Sequence, residues 1–144
     1  MKIAILGAEG QLGSLLEKSL NQNLDGEVRG LGINDFNLLD PLEKKASHLQ
    51  SFSPDVVINC AAYTQVDKAE SDKEMAMAVN GSALEDLAKI CDAEKAKLVH
   101  ISTDFVFDGE KNRPYQETDP CSPLSVYGQS KLLGEKLIQE NCES

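Results

Sequence analysis

The run Lys2-Ile3-Ala4-Ile5-Leu6 leads directly into Gly7-Ala8-Glu9-Gly10-Gln11-Leu12-Gly13, after which Leu12, Leu15, Leu16 and Leu20 recur at helical spacing. A buried strand, a glycine turn and an amphipathic helix, in that order, commit a chain to a βα unit. Such a strand needs parallel neighbours and helices to cover both of its faces. Glycines at positions 7, 10 and 13 permit a tight turn, close approach of the backbone to a bound group, and close packing of helix on strand. The helix N-terminus that follows favours negative charge, so the loop suits a pyrophosphate. An ordinary βα turn also uses glycine; the strand–loop–helix order favours the dinucleotide reading.

The rest of the chain repeats the alternation. Val28–Leu31 predicts a second strand and residues 36–39 a short third. Asp40-Pro41 predicts a helix start, with Asp as cap and Pro in the first turn, and that helix runs to about Phe52. Ser53-Pro54 interrupts the chain before the buried strand Asp55-Val56-Val57-Ile58-Asn59. A long helix is expected over 71–91, a strand over 98–102, a loop over 103–124 carrying Gly109, Pro114, Pro120 and Pro123, and a last helix from Ser125 to about Gln139. The expected fold is α/β, a doubly wound parallel sheet of Rossmann type with five strands ordered 3-2-1-4-5. No linker marks a second domain, so residues 1–144 read as one dinucleotide-binding domain. Ligands of such sheets bind at the carboxyl ends of the strands, where the glycine loop, Asn59-Cys60-Ala61-Ala62 and Ser102-Thr103 all fall.

Composition narrows the partners. With 144 residues, 41% of them hydrophobic, the chain can bury a core; a net charge of −10 argues against nucleic acid and against an anionic membrane surface. Phosphates would then be held by local backbone donors. The apolar run at the N-terminus is too short for a signal peptide, and no stretch approaches a membrane span. Cys60, Cys91, Cys121 and Cys142 are scattered without C-x-x-C spacing, which predicts reduced thiols and a cytoplasmic location. His48 and His100 lie in no metal-ligand pattern, Asp104 and Asp108 have no spaced partners, and no metal site is predicted. The mixed charge run from Asp67 to Glu74 reads as a solvated face.

Tyr127-Gly128-Gln129-Ser130-Lys131 carries the chemistry. Tyr and Lys four apart on a helix share a face, and a nearby ammonium favours the phenolate, which lets a Tyr exchange protons near neutral pH. Beside a nicotinamide cofactor such a proton donor suits carbonyl reduction or its reverse. A hydroxyl at Thr103 would hydrogen-bond the substrate carbonyl oxygen as charge develops. Taken singly, Thr103 also reads as a strand end, and Tyr127 and Lys131 as surface helix residues; their coupling to the glycine loop favours the site. The acid that ordinarily ends the second strand and holds the adenosine ribose is not evident in Gly30-Leu31-Gly32-Ile33-Asn34. Arg29 fits either a 2′-phosphate or a solvated strand position, so both NADPH and NADH remain open.

Together with Asp55–Thr64, Val66–Glu70, Val79-Asn80, Ile101–Gly109, Pro114-Tyr115 and Tyr127–Glu135, these motifs cover nearly the whole chain. In that order they resemble the extended short-chain dehydrogenase/reductase family, and within it the branch that reduces dTDP-4-dehydrorhamnose to dTDP-rhamnose. The resemblance implies NAD(P)H-dependent reduction of the C4 keto group of a dTDP-4-dehydro-6-deoxyhexose. It implies that Tyr127 protonates the C4 oxygen, that Lys131 assists Tyr127 and binds the nicotinamide ribose, and that Thr103 holds the sugar carbonyl with Asp104 beside the sugar. Gly10, Gln11 and Leu12 would cradle the pyrophosphate, Ala61, Ala62 and Tyr63 would line the cofactor, and Asn37 and Leu38 would contact adenine. Asn80 would be structural, supporting a proton relay. Phe105 stands where the family usually has Tyr, and Asn37 where Asp is common.

The family pattern continues well past the Tyr-x-x-x-Lys helix, into further strands and a small domain that grips the nucleotide-sugar. The expectation for residues 1–144 is therefore a cofactor-binding half, lacking the C-terminal substrate domain, weak or inactive as a reductase alone, with the strand over 98–102 as an exposed edge through which copies could pair. A rival reading is a non-catalytic cofactor-binding or regulatory module, similar to the regulatory subunit of methionine adenosyltransferase, since fold does not settle function. Intact Thr103, Tyr127 and Lys131 favour the reductase.

Overall fold

The computed structural model describes residues 1–143. Its centre is a parallel sheet of four strands, β1 Lys2–Leu6, β2 Glu27–Leu31, β3 Val56–Asn59 and β4 Lys97–His100, in the order β2-β1-β3-β4. On β1, Ile3 pairs with Val28 on one side and Val56 on the other, and the register continues to Leu6 between Leu31 and Asn59. A strand with neighbours on both edges and helices over both faces buries every side chain. That is why Ile3-Ala4-Ile5-Leu6 is an unbroken apolar run and not an alternating one. None of the four is more than 4% exposed, and burying each of the larger ones stabilises the fold by roughly 1.5–3 kcal/mol.

Helix α1 (Gln11–Asn23) joins β1 to β2 and packs on both. The chain then returns across β1. Helix α2 (Leu42–Phe52) leads to β3, α5 (Ala83–Glu94) leads to β4, and these two helices pack together. Right-handed crossovers in opposite directions put α1 on one face and α2 with α5 on the other. Ala4 and Leu6 accordingly join Leu49, Phe52, Val57, Leu84 and Leu87 in the main core cluster, while Ile3 and Ile5 alternate toward the α1 face. The short helices α3 (Val66–Ala69) and α4 (Lys73–Met77) precede α5, and α6 (Val126–Asn141) lies across α4 and α5. Ser125 starts α6 by accepting a bond from the Gly128 amide at 3.1 Å.

Residues 36–39 are not a third strand, so the sheet has four strands instead of five. The Gly32 carbonyl accepts from the Asp35 and Phe36 amides, Asn37 Oδ1 from the Leu39 amide, and the Asn37 carbonyl from the Asp40 amide. These local bonds close successive turns and leave no ladder to form. Phe36 and Leu38 still reach the core, which explains the apolar spacing. Asp40 does not cap α2 either: it pairs with Lys44 at 2.8 Å, and Pro41 occupies the cap position. The long helix expected over 71–91 is α4 and α5 joined by a π-helical turn, Ala78–Ser82, whose extra residue turns Asn80 inward. Among the described residues no helix is long and apolar enough to cross a membrane.

Candidate functional site

A cleft of about 800 Å³ opens at the carboxyl ends of β1, β3 and β4, where the sheet changes direction. Gly7, Gly10, Gln11, Leu12 and Gly13 form one wall, Asn37 and Leu38 the far end, Ala61 and Ala62 the floor, and Tyr127 and Lys131 the opposite wall. Gly7 has φ +74°, and a Cβ there would lie 2.7 Å from the Ala61 amide nitrogen. A Cβ on Gly13 would strike the Gly7 carbonyl and come within 2.9 Å of the Ala8 Cα. Only glycine lets the loop, the end of β3 and the start of α1 meet this closely. The N-terminus of α1 has no side-chain cap and no acid in its first turn, so its unsatisfied amides are open to an anion. The cradle, the uncapped helix and the elongated cleft fit a dinucleotide.

The second wall is organised by a buried polar chain. The Ala61 amide donates to Asn59 Oδ1 at 3.0 Å, which turns Asn59 Nδ2 toward His100 Nδ1 at 3.1 Å. The two ring nitrogens of His100 thus meet Asn59 Nδ2 on one side and Lys131 Nζ, at 3.2 Å from Nε2, on the other. Lys131 in turn donates to the Ile101 carbonyl at 2.6 Å. Burial, with the Lys131 charge, pulls His100 down to about 3. Lys131 is 2% exposed, and burial pulls it down to about 8 against the opposing charge of Glu135. An amine that gains and loses a proton this close to neutrality, beside a Tyr on the same helix face, is equipped for proton transfer. The Tyr127 ring packs edge-on against Phe105 with centroids 5.7 Å apart.

Asn80 ties the two walls together. Its Oδ1 accepts from the Tyr63 amide at 2.8 Å, while its Nδ2 donates to the Tyr63 carbonyl at 2.9 Å and to Ser130 Oγ at 3.0 Å. Ser130 Oγ donates to the Tyr127 carbonyl at 2.7 Å. The residues expected around the cofactor gather here except for Tyr63, whose side chain points away and bonds Asp72 at 3.2 Å. Thr103 and Asp104 lie outside the cleft lining. Thr103 Oγ1 accepts from the Phe105 amide at 3.2 Å and caps a 3₁₀ turn, Asp104–Val106. Asp104 borders a neighbouring hollow of about 340 Å³ with Phe105, Tyr115 and Leu124.

Arg29 is not near the cleft. It pairs with Glu27 at 3.2 Å and stacks over the Phe52 ring at 4.1 Å, so it is unavailable to a 2′-phosphate. Cys60 lines the cleft, and burial raises its thiol, which keeps it protonated and a poor nucleophile at neutral pH. Sequence reasoning left out His100 and Glu9. The signal for His100 was its place as the last residue of β4, directly before a cleft-lining segment; for Glu9 it was its place inside the glycine loop.

A family model described as the RmlD substrate binding domain matches residues 1–144. The dTDP-4-dehydrorhamnose reductase of Salmonella typhimurium is 41% identical over 145 residues, covering 99% of this chain and 48% of its own length. That of Burkholderia thailandensis is 47% identical over 140 residues, covering 97% and 46%. The crystal structure of dTDP-4-dehydrorhamnose reductase from Bacillus anthracis in complex with NADP superposes with a TM-score of 0.95 at 32% identity, covering 99% of this chain and 50% of that one. The chain thus spans about half the length of the curated relatives it matches.

Proposed function

The chain belongs to the RmlD substrate binding domain family, and from that premise we propose that it supplies the cofactor-binding half of an NAD(P)H-dependent reductase of dTDP-4-dehydro-6-deoxyhexoses, converting dTDP-4-dehydrorhamnose to dTDP-rhamnose. The observation that carries this reading is the convergence of the glycine loop with Tyr127 and Lys131 on one cleft. The cofactor would supply hydride to the sugar C4. Gly10, Gln11 and Leu12 would hold its pyrophosphate through backbone amides, Asn37 and Leu38 would meet its adenine, and Ala61 and Ala62 would shape the floor between. Tyr127 would deliver the proton to the C4 oxygen. Lys131 would bind the nicotinamide ribose and take up the proton deficit, helped by its value of about 8. Thr103 and Asp104 would hold the sugar from the rim, with Thr103 rotating off its local bond to meet the carbonyl.

The outer edge of β4 has no strand beside it among the described residues, and Val99 and Ile101 are 37% and 38% exposed. This reading therefore includes self-association through that edge, and a cytoplasmic setting that keeps the thiols reduced. The test is a fluorescence titration with NADH and NADPH, followed by addition of dTDP-4-dehydrorhamnose. Binding with substrate-dependent oxidation, lost in Tyr127→Phe, is the supporting result. Binding without oxidation would restrict the chain alone to a cofactor-binding module, and binding of neither cofactor would overturn the reading.

A further inference from the structure

The adenosine end of the cleft contains a carboxylate that the strand pattern did not announce. Glu9 leaves the glycine loop and reaches across to the end of β2, where its Oε2 accepts from the Ile33 amide at 3.3 Å. The carboxylate lies directly over Gly32, where a Cβ would come within 2.5 Å of Glu9 Oε1. Among the described residues Oε1 has no protein donor. In sheets of this type an acid at the end of β2 accepts from the adenosine ribose hydroxyls. That acid normally comes from the strand itself, but the chemistry requires only an oxygen at that point in space.

We infer that Glu9 is the ribose-recognition residue of this chain and that it selects NADH over NADPH. The inference rests on the cofactor reading above. A 2′-phosphate would bring a charge of roughly −1.5 to −2 to the spot that Glu9 occupies. The cations on the flanking elements are already engaged. Arg29 pairs with Glu27, Lys44 with Asp40, and Lys45 is buried against Asp86 and the Leu38 carbonyl. A second carboxylate, Asp35, accepts from the Gly32 amide at 3.1 Å and adds to the repulsion. Lys131, the cationic residue in the cleft lining, stands on the wall of β4 and α6. Glu9 is solvent-exposed, so screening keeps the effect moderate.

The test is equilibrium titration of wild type, Glu9→Gln and Glu9→Ala with NADH, NADPH, 5′-ADP and 2′,5′-ADP, at low and at high salt. NADH should bind wild type about ten-fold tighter than NADPH, with the gap narrowing at high salt as expected of unlike screening of the two ligands. Glu9→Gln should close most of that gap by tightening NADPH, and the ADP pair should follow the same pattern without the nicotinamide. Equal affinities in wild type, or an unchanged ratio in both variants that bind, would overturn the inference while leaving the cofactor reading intact. Failure of wild type to bind any of the four ligands would overturn both.

Discussion

His100 and Lys131 show how burial, and not residue type, sets charge. His100 titrates in the fold near 3 and in the unfolded chain near 6.5, so between those values the unfolded chain binds more protons. Stability therefore rises with pH through that window and is lost on acidification. His100→Gln should lose less stability than wild type between pH 7 and pH 4, by on the order of 2–3 kcal/mol in denaturant titrations. Lys131 has the same sign in another window: the fold releases its proton near 8 and the unfolded chain near 10.5, so stability rises with pH across that range. Lys131→Met should abolish that alkaline rise. Gly13 is a second residue whose role is geometric. Gly13→Ala would press a methyl onto the Gly7 carbonyl and Ala8, and should cost about 1–3 kcal/mol while weakening dinucleotide binding, read by thermal denaturation and fluorescence titration.

The π-helical turn at Ala78–Ser82 is the element that joins the site to the scaffold. An uninterrupted helix from α4 to α5 would carry a different side chain toward the Tyr63 backbone. The extra residue instead aims Asn80 at Tyr63 and Ser130, so one amide fixes the floor of the cleft and the start of α6. Close packing follows: a Cβ on Gly134 of α6 would strike the Asn80 carbonyl. Asn80→Ala would strand the Tyr63 amide and carbonyl, at a cost of about 1–3 kcal/mol for each group that water cannot reach. It should also raise amide exchange over residues 61–64 and 127–131, whereas a role confined to α5 would leave the second segment protected.

At the scale of the sheet, the outer edge of β4 has no strand beside it among the described residues, and Val99 is exposed. Under the proposed self-association that edge would pair with another strand, against the repulsion of a net charge of −10. Sedimentation should show a mass that rises with concentration and salt, and Val99→Lys should hold the chain monomeric. Much of this architecture was legible in the residues. The apolar run of β1, the glycine loop and the strand–helix alternation imply a doubly wound sheet because each is a local pattern with few alternatives. That Tyr127 and Lys131 both line the cleft follows in the same way from helical periodicity. Residues 36–39 were misread because an apolar alternation anchors turns as well as strands, and only the Gly32 carbonyl and Asn37 side chain, by capturing the amides, decide between them. The approach of Glu9 to Gly32, the His100–Lys131 contact and the reach of Asn80 to Ser130 join residues far apart in the chain. Sequence alone determined the repeating units and the residue types at the strand ends, since backbone propensity and burial act locally. Tertiary structure decided the charge states and partners at the site, because hydrogen-bond direction and desolvation depend on which segments the crossovers bring together.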